Sequence, residues 1–544
     1  MKSQAQRANG FGNPQSFGIL FLANKHTAIV NTLTKSLQDN LTQAKKLLPA
    51  EDILTYEFQT ADKVNCAIIY ADGMVNKQLL GDLIARPLSR TALRDKKQEK
   101  SKNEGGRSAS TGENLSIIER IEKTTLFPEL KQITVWSDIT TEVLDGNSLL
   151  LVDGVKTGLI VGAKFLPVRA VIEPPTDVAV KGPREGFIED VKTNMALVRK
   201  RLKSPDLRLQ TMRIGKRSQT IVCVCWLEGT SSVAVKDEIL TNLKKIDIDQ
   251  IPDSSYIAAL LSPRKHSIFH SFATTEKPDV LASKIAEGRV GILVDGSPIA
   301  LSAPFLLAEN IQSSEDYYIS PFMATLFRFL RLISLFIAIL LPAFYVSAQL
   351  FKMQLLPLGL MLTIASGVRD LPLSPSLEMF LVLLLLEVLK EASIRMPKYV
   401  GMSLSVVGAL VLGETAVSAG ILSTPAIIVV AFSGICLYTV PNFVETGSIL
   451  RWLFLIVAGS VGPFGIVVLF AFLAAYLITA DAFGAPLLAP FSPLIGHDLR
   501  DTVVKYDIRS LVKRPKFLRL KNVTRLKLSQ DQTSSENQND TGES

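Results

Sequence analysis

The chain has 544 residues, a formal net charge of +8 and 47% hydrophobic residues, with four cysteines in all. This length predicts two or three domains, and so few cysteines exclude the disulfide framework of a small secreted protein. The sequence has no CxxC pair and no Ser/His/Asp, Cys/His or paired-carboxylate arrangement. We therefore expect no metal site, no cofactor and no catalytic residue.

Hydropathy divides the chain into a soluble part, a membrane part and a polar tail. No secretory signal is recognisable between Met1 and Asn24, so we expect the N-terminus in the cytosol. The predicted fold class is an α/β cytosolic region of two related subdomains, followed by an α-helical multi-span membrane domain. The expected parts are a flexible N-terminus (1–24), α/β subdomain 1 (25–172) with a disordered insertion (94–114), a Pro/Gly linker (173–186), α/β subdomain 2 (187–320), a membrane domain of four to six helical segments (326–495), a basic cytoplasmic tail (496–527) and a disordered polar end (528–544).

The first half alternates helical and strand patterns. Leu33, Leu37 and Leu41 recur at helical spacing, which predicts an amphipathic helix over 27–48. The charged, Gly/Ser-rich run 94–114 has no apolar periodicity, which predicts disorder. The other predicted elements are a strand over Val64–Tyr70, helices over Met74–Ala85, Leu115–Lys123 and Asp138–Leu144, and a hairpin over Ser148–Val161.

The second half repeats this plan. Both halves end in a hairpin with the sequence LVDG, which closes at Gly154 in one and at Gly296 in the other. We interpret the two halves as related α/β subdomains, although strand–turn–helix patterns can also recur by chance. The second set of predicted elements is a strand over Thr220–Leu227, helices over Val235–Lys245 and Asp279–Ala286, and a hairpin over Val290–Ala303.

A Pro/Gly-rich run, EPPTDVAVKGPREG, separates the halves and predicts a stiff, extended connector. We interpret its end as a hinge with a cap, in which Arg184 and Glu185 pair with neighbours. It is not a phosphate loop, because no Lys-Ser/Thr pair follows and no strand precedes it at the right spacing. The motif consists of Gly182, Pro183, Arg184, Glu185 and Gly186.

A helix is expected directly after this linker, starting at Phe187. Its apolar side would face inward, and its other side would be a basic surface. The basic residues of that surface are Lys192, Arg199, Lys200 and Lys203.

The membrane part contains several apolar segments of unequal length. Four full spans plus one or two re-entrant pieces would keep both termini and Arg395 on the cytoplasmic side, whereas six spans would put that cation outside. We therefore expect four. The segments are Leu326–Leu350 broken by Pro342, Gln354–Ser366, the central run 376–395, Val400–Gly420 with a stripe of small residues, Thr424–Tyr438, and Trp452–Thr479 as one long span.

The central run is too charged for a helix that faces lipid, because a charge at the bilayer centre costs roughly 2.5–3.5 kcal/mol. Glu387, Lys390 and Glu391 share one helical face. One interpretation is a local pairing of Lys390 with the two acids near the headgroups. The other is a polar network or ion pathway, with Glu414 on the following helix as the companion of Glu387.

The C-terminal tail concentrates the positive charge. Between 500 and 527 ten basic residues face only Asp501 and Asp507. Such a tail beside a membrane segment is retained in the cytoplasm and attracts anionic lipid. Because aromatic residues are not interleaved with the charges, we expect no nucleic-acid binding.

Several runs between about residue 25 and residue 512 carry a family resemblance. They are EPPTDVAVKGPREGFIEDVKTNMALVRKRLKSPDL, MRIGKRSQTIVCVCWLEG, GRVGILVDGSP, SSEDYY, GLMLTIASG and LLLLEVLKEASIRMP. Together they resemble the A subunit of the GerA-type spore germinant receptors.

The resemblance implies a multi-pass protein of the spore inner membrane that works with a permease-like B subunit and a lipoprotein C subunit. It also implies a homo-oligomer, expected to be a pentamer, that forms or gates a cation channel and triggers germination when nutrients bind. The alternative is a non-conducting scaffold or signalling subunit that couples a germinant-binding partner to downstream ion release. A secondary transporter fits less well, because hydropathy shows no inverted repeat, and an enzyme fits least.

Overall fold

The computed structural model describes residues 32–93, 117–125, 127–165, 181–351, 354, 357–368, 371–397, 400–401, 406–408, 411–518, 520 and 522–525. The predictions for 1–24, 94–114, 173–180 and 528–544 lie outside these residues.

Two five-stranded antiparallel sheets form the part of the chain before residue 320. The first contains β1 (Ile53–Gln59), β2 (Asn65–Ala71), β3 (Leu130–Ile133), β4 (Ser148–Val152) and β5 (Gly158–Val161). The second contains β6 (Leu207–Ile214), β7 (Thr220–Leu227), β8 (Ala273–Thr275), β9 (Val290–Val294) and β10 (Ala300–Ala303). Their orders are β1-β2-β4-β5-β3 and β6-β7-β9-β10-β8, so the two sheets have the same connectivity strand for strand.

Helices cover both faces of the first sheet, which explains why β4 is buried at every residue. One face packs on α1 (Leu37–Leu47) and α5 (Trp136–Leu144), and the other on shorter helices of the same half. The helices of the two halves are α1, α2 (Lys77–Leu80), α3 (Arg86–Arg90), α4 (Ile117–Thr124), α5, α6 (Val191–Arg201), α7 (Val233–Lys244), α8 (Ser254–Leu261) and α9 (Pro278–Ala286).

The LVDG hairpin has the same function in both halves. The Leu37 backbone N–H at the start of α1 donates to Asp153 Oδ1 at 3.1 Å, and the Val191 N–H at the start of α6 donates to Asp295 Oδ1 at 3.2 Å. Each aspartate therefore satisfies a free N–H at a helix N-terminus. The repeated motif is explained by this cap.

A second pair of contacts repeats with the same spacing. The Asn40 side chain accepts from the Thr34 N–H at 2.9 Å, and the Asn194 side chain accepts from the Ile188 N–H at 2.9 Å. Both asparagines are buried and also donate back to the carbonyl oxygen of the same residue. The two halves thus share backbone anchors as well as sheet order.

Three predicted helices differ from the observed ones. The helix predicted over 27–48 begins at Leu37, because Ser36 caps it, and Leu33 is buried from an extended segment. The helix expected from Phe187 begins at Val191, where Asp190 accepts from the Thr193 N–H at 2.8 Å. The helix expected over Met74–Ala85 is divided by the π turn Gly81–Ala85 that joins α2 to α3.

The remaining described chain is mostly helical and apolar. Two helices, Pro321–Phe351 and Pro441–Val461, are long and apolar enough to cross a membrane, and Thr424–Tyr438 and Pro463–Thr479 are shorter apolar helices. The helices are α10 (Pro321–Phe351), α11 (Leu358–Val368), α12 (Pro375–Arg395), α13 (Ala416–Ser418), α14 (Thr424–Tyr438), α15 (Val444–Val461) and α16 (Pro463–Thr479).

Two predicted features of these segments are wrong. Helix α10 continues through Pro342 and is not broken there. The single span predicted over Trp452–Thr479 is divided at Gly462, whose φ of 75° and ψ of −151° end α15 and precede Pro463 at the start of α16. Proline has no N–H and fixes φ, so it suits the first turn of a new helix.

The described part of the C-terminal tail folds back on the second sheet unit. Arg514 Nε donates to the Ala286 carbonyl oxygen at 3.1 Å, and Arg525 pairs with Glu287 at 3.5 Å. Lys505 is buried beside α10. Other basic residues of the tail remain exposed: Arg500, Arg509, Lys513 and Lys516.

Candidate functional site

The charged face of α12 meets the neighbouring apolar helices. Pro375 occupies the first position of α12, where a proline fits a helix well. The helix ends at Arg395, because Pro397 disfavours helical backbone at Met396. Glu387 pairs with Lys390 one turn later. The local pairing expected of Lys390 is therefore present for Glu387.

Glu387 has a second cationic partner on another helix. Arg451 Nη2, on α15, lies 2.8 Å from Glu387 Oε1, and Ser448 Oγ donates to the same oxygen at 3.1 Å. Sequence reasoning missed Arg451, because it directly precedes the predicted span that started at Trp452. The available signal was that Arg451 is the one Lys or Arg within Val444–Val461.

Arg451 continues the network across the helical region. Its side chain is 2% exposed, and Nη1 donates to Ser433 Oγ on α14 at 3.3 Å. Ser433 Oγ in turn donates to the Ala338 carbonyl oxygen of α10 at 2.7 Å. One chain of polar contacts thus connects α12, α15, α14 and α10.

The electrostatics of this network favour a fixed arrangement. Two cations, Lys390 and Arg451, face one carboxylate, Glu387, so the cluster carries a formal charge of +1. Arg451 is almost completely buried, whereas Glu387 and Lys390 are each more than one-fifth exposed, so removing Glu387 would leave the buried guanidinium without a counter-charge. The network therefore connects the four helices through one buried guanidinium.

The other predicted members of the polar face lie elsewhere. Glu391 pairs with Arg395 at 2.6 Å, and both side chains are exposed. Glu414 is exposed on the π turn Val411–Thr415. The structure thus brings Glu387 and Lys390 together with Arg451, and it gives neither Glu391 nor Glu414 a contact with Glu387 among the described residues.

Two of the small residues predicted to allow close helix contact, Gly401 and Gly408, lie against α12. A Cβ at Gly408 would lie 2.8 Å from Leu389 Cδ2, and a Cβ at Gly401 would lie 3.3 Å from the Ser393 carbonyl oxygen. Larger side chains at these two glycines would push the neighbouring helix away.

A second charged cluster lies at the base of α10. Arg328 and Asp316 are both fully buried, with Arg328 Nε 2.9 Å from Asp316 Oδ2. Arg331 pairs with the same carboxylate at 2.9 Å, and Arg328 Nη1 reaches Asp501 Oδ1 of the C-terminal tail at 3.1 Å. The cluster therefore ties the segment before α10, the helix itself and the tail into one unit.

One aromatic residue, Tyr317, completes this cluster. Tyr317 donates to Asp501 Oδ2 at 3.1 Å, and Lys505 lies 4.3 Å from the centre of the Tyr317 ring. Burial, with the nearby Asp501 carboxylate, raises the pKa of the Tyr317 hydroxyl far above its ordinary value. Burial lowers the pKa of Lys505. Tyr317 therefore stays a neutral hydrogen-bond donor.

The linker motif contacts the segment just before the first long apolar helix. Gly182 has a φ of 120°, and a Cβ there would lie 2.7 Å from Tyr318 Cε2. Tyr318 donates to Asp279 at 3.0 Å, and burial with that carboxylate raises the pKa of Tyr318 to about 12. The linker thus packs on the residues that lead into α10.

Glu185 has two cationic partners at the C-terminal end of α6, and the N-cap of that helix is Asp190 and not this motif. Glu185 pairs with Lys200 at 2.5 Å and with Arg201 at 2.6 Å, both on α6. Pro183 and Arg184 lie between Gly182 and this anchored residue in a segment without regular secondary structure.

These features define the class of protein as one with two α/β units followed by apolar helices. Two α/β units of one topology are joined to a region of apolar helices, and buried ion pairs hold the junction and the helices in place. The chain carries two helices that are long and apolar enough to span a membrane.

Comparisons with known proteins identify the family. Residues 39–517 match the family described as Bacillus/Clostridium GerA spore germination protein. The chain is 31% identical over 488 residues to spore germination protein KA of Bacillus subtilis (strain 168), covering 89% of this chain and 87% of that protein. It is 32% identical over 487 residues to spore germination protein B1 of the same strain, covering 89% and 97%. The chain belongs to the GerA spore germination protein family, which confirms the resemblance inferred from its sequence.

A solved structure also aligns with part of the chain. It is the N-terminal domain of the A subunit of the Bacillus megaterium spore germinant receptor GerK3, with 28% identity and a TM-score of 0.37 over 51% of this chain and 97% of that one.

Proposed function

We propose that this chain is the A subunit of a nutrient germinant receptor in the spore inner membrane, where it oligomerises to form or gate a cation channel. The family membership supports a function in germination. The observation that carries the mechanism is the Glu387–Arg451 pair, which connects α12 to α15 within the apolar helices. In this proposal the Glu387–Arg451 pair stabilises one conformational state of the membrane domain, and we call the pair the latch.

The partners and location that we propose are those that the resemblance to germinant receptor A subunits implies. The partners are a permease-like B subunit, a lipoprotein C subunit, membrane lipid and further copies of this chain, with a pentamer as the expected assembly. The protein is proposed to be multi-pass, with both termini and the two sheet units in the cytoplasm. The exposed basic residues of the tail, such as Arg509 and Lys513, supply charge that attracts anionic lipid.

The contacts of Glu387 separate two versions of this function. A ring of free carboxylates selects cations in a pore. In this structure Lys390 and Arg451 both pair with Glu387, so its charge is already compensated. This favours a latch that controls movement over a filter that binds the passing ion, and it keeps a non-conducting scaffold as the second candidate.

Glu387→Gln tests the latch. Spores that carry this variant are exposed to a panel of single amino acids and sugars, and release of monovalent cations is measured by flame photometry. We expect altered release at an unchanged amount of the protein in spore membranes, because the variant weakens the pairs with Arg451 and Lys390. The matched control is Glu391→Gln, on the same helix and exposed. Release that equals the wild type would remove Glu387 from the mechanism.

Reconstitution separates the channel from the scaffold. The purified chain is placed alone in liposomes, and cation flux is followed with a fluorescent indicator. Flux that Glu387→Gln changes supports a conducting subunit. Intact oligomers without flux favour the scaffold.

A further inference from the structure

Another carboxylate of α12 is buried near the start of the helix. Glu378, in the first turn of this helix, is fully buried. Its Oε1 accepts from the Ser423 backbone N–H at 2.5 Å. Ser423 is the N-cap of α14, so the carboxylate lies at the meeting point of two helix N-termini, each with a partial positive charge.

Buried polar side chains of α10 lie in the same region of the helical part as Glu378. Tyr345 and Gln349 are one helical turn apart and are both buried. Tyr345 belongs to the same buried cluster as Met379 and Leu422, which adjoin Glu378 and Ser423 in the sequence. Among the described residues, Glu378 Oε2, Tyr345 Oη and both polar atoms of the Gln349 amide have no hydrogen-bond partner.

The surroundings of this cluster are apolar, with Val346, Met379 and Leu422 in the same buried group. A buried carboxylate is strongly unfavourable unless a positive charge compensates it. Within the described ranges, no Lys or Arg forms an ion pair with Glu378, in contrast to the fully paired Glu387. The helix termini supply only partial positive charge, so a cation bound beside Glu378 would complete the compensation of an ionised carboxylate.

We infer that Glu378, Tyr345 and Gln349 bind one monovalent inorganic cation. Carboxylate, phenol and amide oxygens are hard ligands, which suit alkali and alkaline-earth ions and not soft metals. A single carboxylate balances one positive charge, whereas Ca²⁺ takes six to eight oxygens, commonly with several carboxylates. The described residues contain no group of three or more His, Cys, Asp or Glu that could hold a metal ion.

The bound cation would connect three helices. Tyr345 and Gln349 come from α10, Glu378 from α12, and Ser423 precedes α14. Occupancy therefore stabilises the packing of these helices, as any ligand of the native state does. This binding does not depend on conduction by the chain, so it stands or fails separately from the proposed channel.

Equilibrium binding of radioactive rubidium and sodium ions to the purified full-length chain in detergent tests the site. We expect saturable binding of one of these ions at one per chain. Glu378→Gln should weaken it by about tenfold or more, because the charged ligand is lost, and Gln349→Leu should weaken it less. Glu391→Gln, which removes an exposed carboxylate from the same helix, should leave it unchanged.

Thermal unfolding with N-methylglucamine as the replacement cation gives a second measurement. The unfolding temperature of the wild type should rise by about 2 °C or more with the bound ion, and that of Glu378→Gln should not. If Glu378→Gln does not fold, Tyr345→Phe and Gln349→Leu decide the question. Absence of saturable binding in the wild type, or full binding by the variants, overturns the inference. Stability that follows pH but no cation also overturns it, because a proton then neutralises Glu378.

Discussion

Arg199 of the second α/β unit forms a buried ion pair with Asp52 of the first. Arg199 Nε lies 3.0 Å from Asp52 Oδ2, and Nη2 lies 2.7 Å from Oδ1, with both side chains almost completely buried. Arg199 also donates to the carbonyl oxygens of Ser204 and Leu207. The two units are therefore joined by a bidentate contact that fixes their relative orientation.

Breaking this pair should destabilise the contact between the units. Arg199→Met leaves the Asp52 carboxylate buried without a counter-charge, and we expect a loss of about 3–5 kcal/mol in the free energy of unfolding. Urea unfolding of the full-length chain measures it. The control is Lys192→Met on the same helix, whose exposed side chain lies 3.8 Å from Asp72 and should contribute less than about 1 kcal/mol. Equal effects of the two variants would contradict the interpretation.

The same contact shows where sequence reasoning reached its limit. Arg199 was expected on a basic face of the helix together with Lys192, Lys200 and Lys203. Helical spacing places residues on faces, but it does not reveal that another unit covers one face. The partner, Asp52, lies 147 residues away, and only the tertiary structure brings the two together.

The repeated architecture of the two α/β units was easier to predict from the sequence than the contact between them. Both LVDG hairpins and the strands over Val64–Tyr70 and Thr220–Leu227 were predicted close to their observed bounds, because buried strands give continuous apolar runs. The edge strands β1, β3, β6 and β8 were all missed; in the two longest, β1 and β6, polar residues on the exposed side weaken the pattern. Within the candidate site, Glu387 was found from its charge in an apolar helix, and Arg451 was missed because interhelical pairing leaves no sequence period.

The hairpin aspartates should contribute equally to the two halves. Asp153→Ala and Asp295→Ala each remove a side-chain acceptor at a helix N-terminus, so each should lower the free energy of unfolding by about 0.5–2 kcal/mol. Chemical denaturation of the single and double variants measures this, and the exposed Asp237→Ala is the control. Because the aspartates lie in separate units, their effects should add. A negligible effect at either position would show that the two hairpins are not functionally equivalent caps.

Glu309 should make stability depend on acidic pH. Burial opposes ionisation of this carboxylate, but Arg289 and Lys284 outweigh it and lower its pKa from 4.5 to about 2. A lowered folded-state pKa means that the stabilisation is complete above the unfolded-state value and is lost as the pH falls toward 2. The difference corresponds to about 3 kcal/mol.

The free energy of unfolding of the full-length chain, measured from about pH 6 to about pH 2, gives that loss. Glu309→Gln should be less stable than the wild type at pH 6 and should lose less stability on acidification. The exposed Glu57→Gln serves as the control and should retain the wild-type slope. An identical slope in Glu309→Gln would show that other carboxylates account for the pH dependence.

Gly462→Ala distinguishes the observed helix break from a single continuous span by the sign of its effect. Gly462 has a positive φ, and an added Cβ would lie 2.7 Å from Phe351 Cγ, so the break predicts a loss of about 1–3 kcal/mol from backbone strain alone. In a continuous helix the same change would stabilise by about 0.5–1 kcal/mol.

Thermal unfolding in detergent measures the sign of the change in stability. Gly413→Ala, which meets no neighbour within 4 Å, is the control. Adding Phe351→Ala should recover only part of the loss, because it removes the steric overlap and leaves the strained backbone. A gain in stability for Gly462→Ala would contradict the break and support a single continuous helix.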